Sequence, residues 1–126
     1  MKPIARPVHL DLLRIHLPVT GWVSILHRVS GVLLFLALPI GVWALSVSLS
    51  GEAGFRQLSD CTTLFAIRIA LLGLTWAFAH HLFAGLRHLM LDAHLGTNLC
   101  RARQSSAAVL AASGAVTILV AWRLFA

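Results

Sequence analysis

Three stretches of this chain, residues 29–51, 69–86 and 104–122, contain no Lys, Arg, Asp or Glu. Each matches the roughly 20 residues that a helix needs to cross about 30 Å of hydrocarbon. Lipid offers no water to pair a backbone N–H or C=O, so a spanning segment must close its own hydrogen bonds, which a helix does within one stretch of chain. The reading is therefore an all-α integral membrane protein with three transmembrane helices, at about residues 20–49, 63–93 and 103–125, after an N-terminal arm at 1–19. A chain of 126 residues holds these helices and their connections in a single membrane domain over 1–126 and leaves no room for a soluble one.

The net charge of +6 is spread along the chain and sorts by side. Lys2, Arg6, Arg14 and Arg28 fall on the N-terminal side, joined by Arg87, Arg101 and Arg103 assigned to the second loop, whereas Arg56, Arg68 and Arg123 fall on the other. Seven against three places the N-terminus in the cytoplasm and the C-terminus outside. The same spread argues against nucleic acid as a partner and for the lipid bilayer. Cys61 then belongs to the outer side and Cys100 to the inner, so they form no bridge. Two isolated cysteines make neither an iron–sulfur nor a zinc site, and the chain has no C-x-x-C-H sequence for covalent cofactor attachment. Pro3, Asp11 and Pro18 precede the first apolar run, which fits neither a cleaved secretory signal nor an Arg- and Ser-rich transit peptide. The location expected is a bacterial inner membrane.

Local signals set the expected boundaries. Thr20 can cap the first helix after Pro18, Pro39 predicts a kink, and Gly51-Glu52-Ala53-Gly54 predicts the outer turn. The second helix would then begin near Thr62 or Thr63 and stop before Gly96, with the third following Arg101 and Arg103. The Ala- and Ser-rich run at 105–113 allows close approach to a neighbouring helix.

Ionisable groups at membrane depth are costly and mark sites. In His81-Leu82-Phe83-Ala84-Gly85-Leu86-Arg87-His88-Leu89-Met90-Leu91-Asp92, a histidine stands one turn before a glycine, a geometry that suits a haem lying on a bared helix face. His80 and His81 point about 100° apart, so only one can meet a given ligand. His81 shares a face with Gly85 and His88, and His80 shares one with Ala84 and Arg87, which favours His81. In Ser24-Ile25-Leu26-His27-Arg28-Val29-Ser30-Gly31, the first, fourth, fifth and last residues share another face. A hydroxyl and a guanidinium one turn apart can both donate to carbonyl oxygens. His27 lies roughly 10 Å in and His81 roughly 15 Å in, so one macrocycle can touch both. On spacing alone, the histidines suit packing or a proton relay equally well, and Arg28 suits snorkelling to the interface.

Arg6-Pro7-Val8, the 24–31 stretch and the 81–92 stretch together resemble the cytochrome b membrane-anchor subunit of succinate dehydrogenase, respiratory complex II, over almost the whole chain. The resemblance implies a complex with a flavoprotein subunit, an iron–sulfur subunit and a second membrane-anchor subunit, oxidising succinate and reducing quinone. It implies Ser24 and Arg28 at the quinone, His81 as axial ligand of a b-type haem shared with the second anchor, and His27 and Arg28 near the haem propionates. The sequence departs from the family's habit at Leu91 and at His80. It also contains no tyrosine, so a phenolic donor to the quinone must come from another subunit. Asp92 and Asp11 lie on the cytoplasmic side, where they can relay protons to the quinone or stand simply as solvated carboxylates. No complete active site is expected on this chain. The alternatives are a haem-free structural anchor and the equivalent anchor of a fumarate reductase. A transporter is disfavoured, because the second span carries only the histidine pair between Arg68 and Arg87.

Overall fold

The computed structural model describes residues 17–126, so Arg6-Pro7-Val8, Asp11 and the rest of the first 16 residues lie outside the described residues. The chain forms four helices, α1 (Val19–Leu49), α2 (Glu52–Cys61), α3 (Phe65–Asp92) and α4 (Leu99–Phe125), with no strand among the described residues. The 31, 28 and 27 residues of α1, α3 and α4 give rods of about 46, 42 and 40 Å. All three are long and apolar enough to cross a membrane.

The ends of the helices show which local signals prevailed. Pro18, not Thr20, occupies the cap of α1, its carbonyl accepting from the N–H groups of Gly21 at 2.8 Å and Trp22 at 3.2 Å. The helix runs on through Pro39, whose missing N–H leaves the carbonyl of Phe35 without its helical donor. Only Gly51, at φ 128°, makes the turn that four residues were expected to make. The chain then re-enters a helix, α2, whose exposed Arg56 pairs with Glu52 one turn back. Gly54 does not break this helix; it lets α2 approach α1, because a Cβ there would collide with the carbonyl oxygen of Val47. The hydroxyls of Thr62 and Thr63 bond back to Ser59 at 2.7 Å and Asp60 at 2.6 Å, which holds them in the turn that closes α2 and delays α3 to Phe65. His94 and Gly96, at φ 62° and 73°, turn the chain after α3. Asn98 accepts from the N–H of Arg101 at 2.8 Å, and this cap starts α4 at Leu99, ahead of Arg101 and Arg103.

α3 packs between α1 and α4. Its buried stripe runs Ala77, His80, Ala84 and Arg87, the 3-4-3 spacing of a single helix face. Val23 of α1 and Val109 of α4 close on Ala84, with Phe83 packed against them. The small residues of α4 do what the sequence predicts: Ser106 and Ser113 are fully buried. Their hydroxyls bond within the helix to Ala102 and Val109, each at 2.8 Å, so close approach leaves no donor unpaired. Arg87, assigned to the second loop from sequence, lies inside α3 with only 6% of its surface exposed. Cys61 and Cys100 are exposed and free, at the end of α2 and the start of α4.

Candidate functional site

α1 and α3 meet at His27, Ser30, Gly31 and His81. The Nδ1 atom of His81 lies 3.0 Å from the carbonyl oxygen of His27 and 3.3 Å from the hydroxyl of Ser30. A carbonyl can only accept, so Nδ1 carries the proton and donates it. Ser30 gives its own hydrogen to the same carbonyl at 2.9 Å, leaving a lone pair for the Nδ1–H. In the neutral ring this arrangement selects the Nδ1–H tautomer, whose lone pair is on Nε2.

His81 is half-buried and lines a groove of about 600 Å³ whose walls include Gly31, Phe35, Leu38, Gly41 and Phe78. At Gly31 the two helices nearly touch, since a Cβ there would stand 2.9 Å from Cε1 of His81; at Gly41 a Cβ would meet nothing within 4 Å. The groove therefore offers an imidazole nitrogen of fixed tautomer, apolar walls and bared α1 backbone. These are the properties a b-type haem requires of the chain that ligates it.

The flat face expected at Gly85 is not open. His27 covers it, with Nε2 at 3.5 Å from where a Cβ on Gly85 would lie. The rings of His27 and His81 stack at 4.2 Å and 12°, and the His88 ring stands 5.1 Å from that of His27. The depth match inferred for His27 and His81 thus appears as direct ring contact, while the open surface belongs to α1. His80 turns the other way and is fully buried. Its ring lies along Trp76 at 5.3 Å, its Nε2 is 3.5 Å from the Val23 carbonyl, and its Nδ1 is enclosed without a partner. No ligand reaches it in this packing.

Ser24 is half-buried and Arg28 exposed, one turn apart on α1, and among the described residues neither side chain makes a hydrogen bond. Asp92 is exposed at the last position of α3, on the stripe of His81, Gly85 and His88. Among the described residues no group of three or more His, Cys, Asp or Glu is arranged to hold a metal ion.

Residues 2–120 match the family described as succinate dehydrogenase/fumarate reductase transmembrane subunit. The chain belongs to that family. It is 33% identical over 115 residues to the succinate dehydrogenase cytochrome b556 subunit of Coxiella burnetii, covering 90% of this chain and 92% of that one. It is 32% identical to the subunit of the same name from Paracoccus denitrificans, covering 90% and 88%, and 31% identical to that from Rickettsia felis, covering 91% and 90%. Membership and the three apolar helices make this a multi-pass membrane subunit of a succinate dehydrogenase-type oxidoreductase complex.

Within this transmembrane subunit, two residues at the helix crossing received no role from the sequence, Ser30 and His88. The signal for Ser30 was present, since it stands three residues after His27 and shares its side of α1. His88 lies on the His81 stripe, but its nearness to His27 depends on how α1 crosses α3, which no local pattern encodes.

Proposed function

We propose that this chain is one half of the membrane anchor of a succinate:quinone oxidoreductase, in which His81 ligates a b-type haem and Ser24 and Arg28 help to form the quinone site. The observation that carries the haem assignment is the Nδ1–H of His81 seated on the His27 carbonyl at 3.0 Å. A metal-bound histidine characteristically donates its other ring N–H in this way, which fixes ring orientation and raises ligand basicity. When bound, the haem supplies a one-electron carrier within the membrane. His27, seated at the helix crossing, and the exposed Arg28 beside it in sequence are the groups proposed for the propionates, and a guanidinium suits them because it binds carboxylates bidentately. A further haem ligand would come from the companion anchor chain, and any phenolic donor to the quinone from another subunit, since this chain has no tyrosine.

Ser24 O–H and Arg28 N–H act as donors to quinone oxygens and stabilise the negative charge that develops there on reduction, as preorganised dipoles do in an oxyanion hole. The exposed guanidinium of Arg28, without a partner among the described residues, supports this reading. Protons reach the quinone from the cytoplasmic side, where Asp92 stands at the end of α3. The charge distribution supports a cytoplasmic N-terminus, and the membrane proposed is a bacterial inner membrane.

The test is an optical difference spectrum of the complex purified in mild detergent through a tag on this chain, with succinate as reductant. A b-type signal that is absent from a His81→Leu complex of unchanged subunit composition bears out the assignment. Flavin and iron–sulfur subunits co-purifying without haem would make the chain a haem-free anchor, and fumarate turnover exceeding succinate turnover would make it the anchor of a fumarate reductase.

A further inference from the structure

On the opposite face of α3 from His81 lies a second cavity, of about 730 Å³, between α3 and α4. At 100° per residue, Phe83, Arg87 and Met90 are turned about 180–240° from His81, so this cavity shares no wall with the His81 groove. Its sides are apolar, formed by Phe83 and Met90 of α3 and Ala108 and Ala112 of α4, and at one end it holds Arg87 and Arg101. No carboxylate lines it among the described residues.

The two arginines differ in depth and burial. Arg101 is exposed in the first turn of α4. Arg87 is 94% buried, the complement of its 6% exposure, about 8 Å along the axis from the end of α3. It donates through Nε to the Ser105 hydroxyl at 3.0 Å and through Nη2 to the Ala102 carbonyl at 3.3 Å. Both partners are neutral, so among the described residues no anion balances its charge. A buried cation without a counter-charge is costly, and hydrogen bonds to neutral groups offset only part of that cost. The cavity thus presents an unbalanced positive end. From Arg101 to Ala112 its α4 wall rises eleven residues, about 16 Å, which is close to half of a hydrocarbon core about 30 Å thick.

A site of this shape fits an anion joined to an apolar chain one leaflet long. We propose that the α3–α4 cavity binds an anionic phospholipid, its phosphate at Arg101 and Arg87 and an acyl chain along Phe83, Met90, Ala108 and Ala112. A free phosphate would meet the guanidinium groups and leave the apolar walls bare. A zwitterionic lipid would cover the walls but bring its own cation to the arginines. Basic pockets between transmembrane helices select anionic headgroups for this electrostatic reason.

The whole complex, purified in mild detergent and depleted of loosely held lipid, is titrated with phosphatidylglycerol while bound lipid is counted by native mass spectrometry. Parallel titrations use phosphatidylcholine with the same acyl chains and inorganic phosphate. The expected result is one phosphatidylglycerol held about tenfold more tightly than phosphatidylcholine. Arg101→Glu, which reverses the charge, should weaken it by about tenfold. Ala108→Phe, which fills the apolar end and touches no charge, should weaken it as well, with unchanged subunit composition in both variants. Equal retention of the two lipids, or equal retention of phosphatidylglycerol by all three proteins, overturns the proposal. So does saturation by inorganic phosphate with lipid excluded, or a crosslink from Ala108→Cys to another subunit, which would show a partner helix in the cavity. None of these readouts depends on haem or quinone, so this proposal and the proposed function stand or fall separately.

Discussion

Adding one methyl group at Gly31 is the smallest change that reaches the His81 imidazole without altering its chemistry. The new Cβ would lie 2.9 Å from Cε1 and 3.4 Å from Nδ1 of that ring. Carbon atoms in contact rest about 3.5–4.0 Å apart, so the ring or the helix must yield by about 0.6 Å or more. The ring has little freedom to do so. Its Nδ1 edge is held by the His27 carbonyl at 3.0 Å and Ser30 at 3.3 Å, and one face is covered by the His27 ring at 4.2 Å. Overpacking of this kind costs about 1–3 kcal/mol, and stretching the Nδ1 hydrogen bond costs about 0.5–1.5 kcal/mol more. Alanine in a helix returns up to about 1 kcal/mol relative to glycine. The balance is a loss of about 1–3 kcal/mol, which at about 1.4 kcal/mol per decade is at least about fivefold and at most about a hundredfold in haem retention.

Gly85→Ala is the matched control. Its Cβ would meet His27 Nε2 at 3.5 Å, an ordinary contact, and the helix gains from losing a glycine. The assay is the haem-to-flavin ratio of each purified complex during dialysis against apomyoglobin as haem acceptor. Gly31→Ala should lose haem about tenfold faster than either wild type or Gly85→Ala. If both variants retain haem alike and give the same spectrum, the ring of His81 is not confined in the way its contacts imply.

Three further perturbations separate the roles at this crossing. His80→Phe keeps a ring against Trp76 and removes the enclosed Nδ1, so the complex should assemble with full haem and with thermal stability unchanged or raised by about 1 kcal/mol. Haem loss from an intact His80→Phe complex would transfer the ligand role to His80. Ser30→Ala removes the 3.3 Å contact to Nδ1 and should lower haem retention several-fold and shift its midpoint potential, as loss of a partner behind a metal ligand does; a potentiometric titration matching wild type would reject that role. Arg28→Leu should lower quinone reduction at least tenfold while sparing succinate oxidation by a soluble artificial acceptor, and equal loss of both activities would point to failed assembly instead.

The three spans were legible because hydrocarbon imposes both a length and an exclusion of charge, and few sequences satisfy the two by accident. α2 was not, since Gly51 and Gly54 are both turn residues by composition. Only one of them turns the chain, and the other serves a close approach to Val47 that depends on the tertiary fold. Arg87 was misplaced for a similar reason. It was counted with the loop charges although the span read as 63–93 already contained it, and its burial shows only when its acceptors, Ser105 and the Ala102 carbonyl, are seen on the next helix.

The different surroundings of His80 and His81 were legible in outline, because a 100° step assigns them to different stripes of α3. Periodicity separates the stripes but does not say which one faces the core. That is decided by α1, whose Gly31 admits the His81 ring and whose Val23 closes over Ala84 on the His80 side. Gly31 and His81 are fifty residues apart, and their fit is a property of two helices crossing at one depth. The sequence near His81 therefore marks where a ligand can be, whereas the sequence near His27 determines which nitrogen is offered to it. A change confined to α1, at Gly31 or Ser30, should alter the behaviour of His81 as much as a change on α3 beside it.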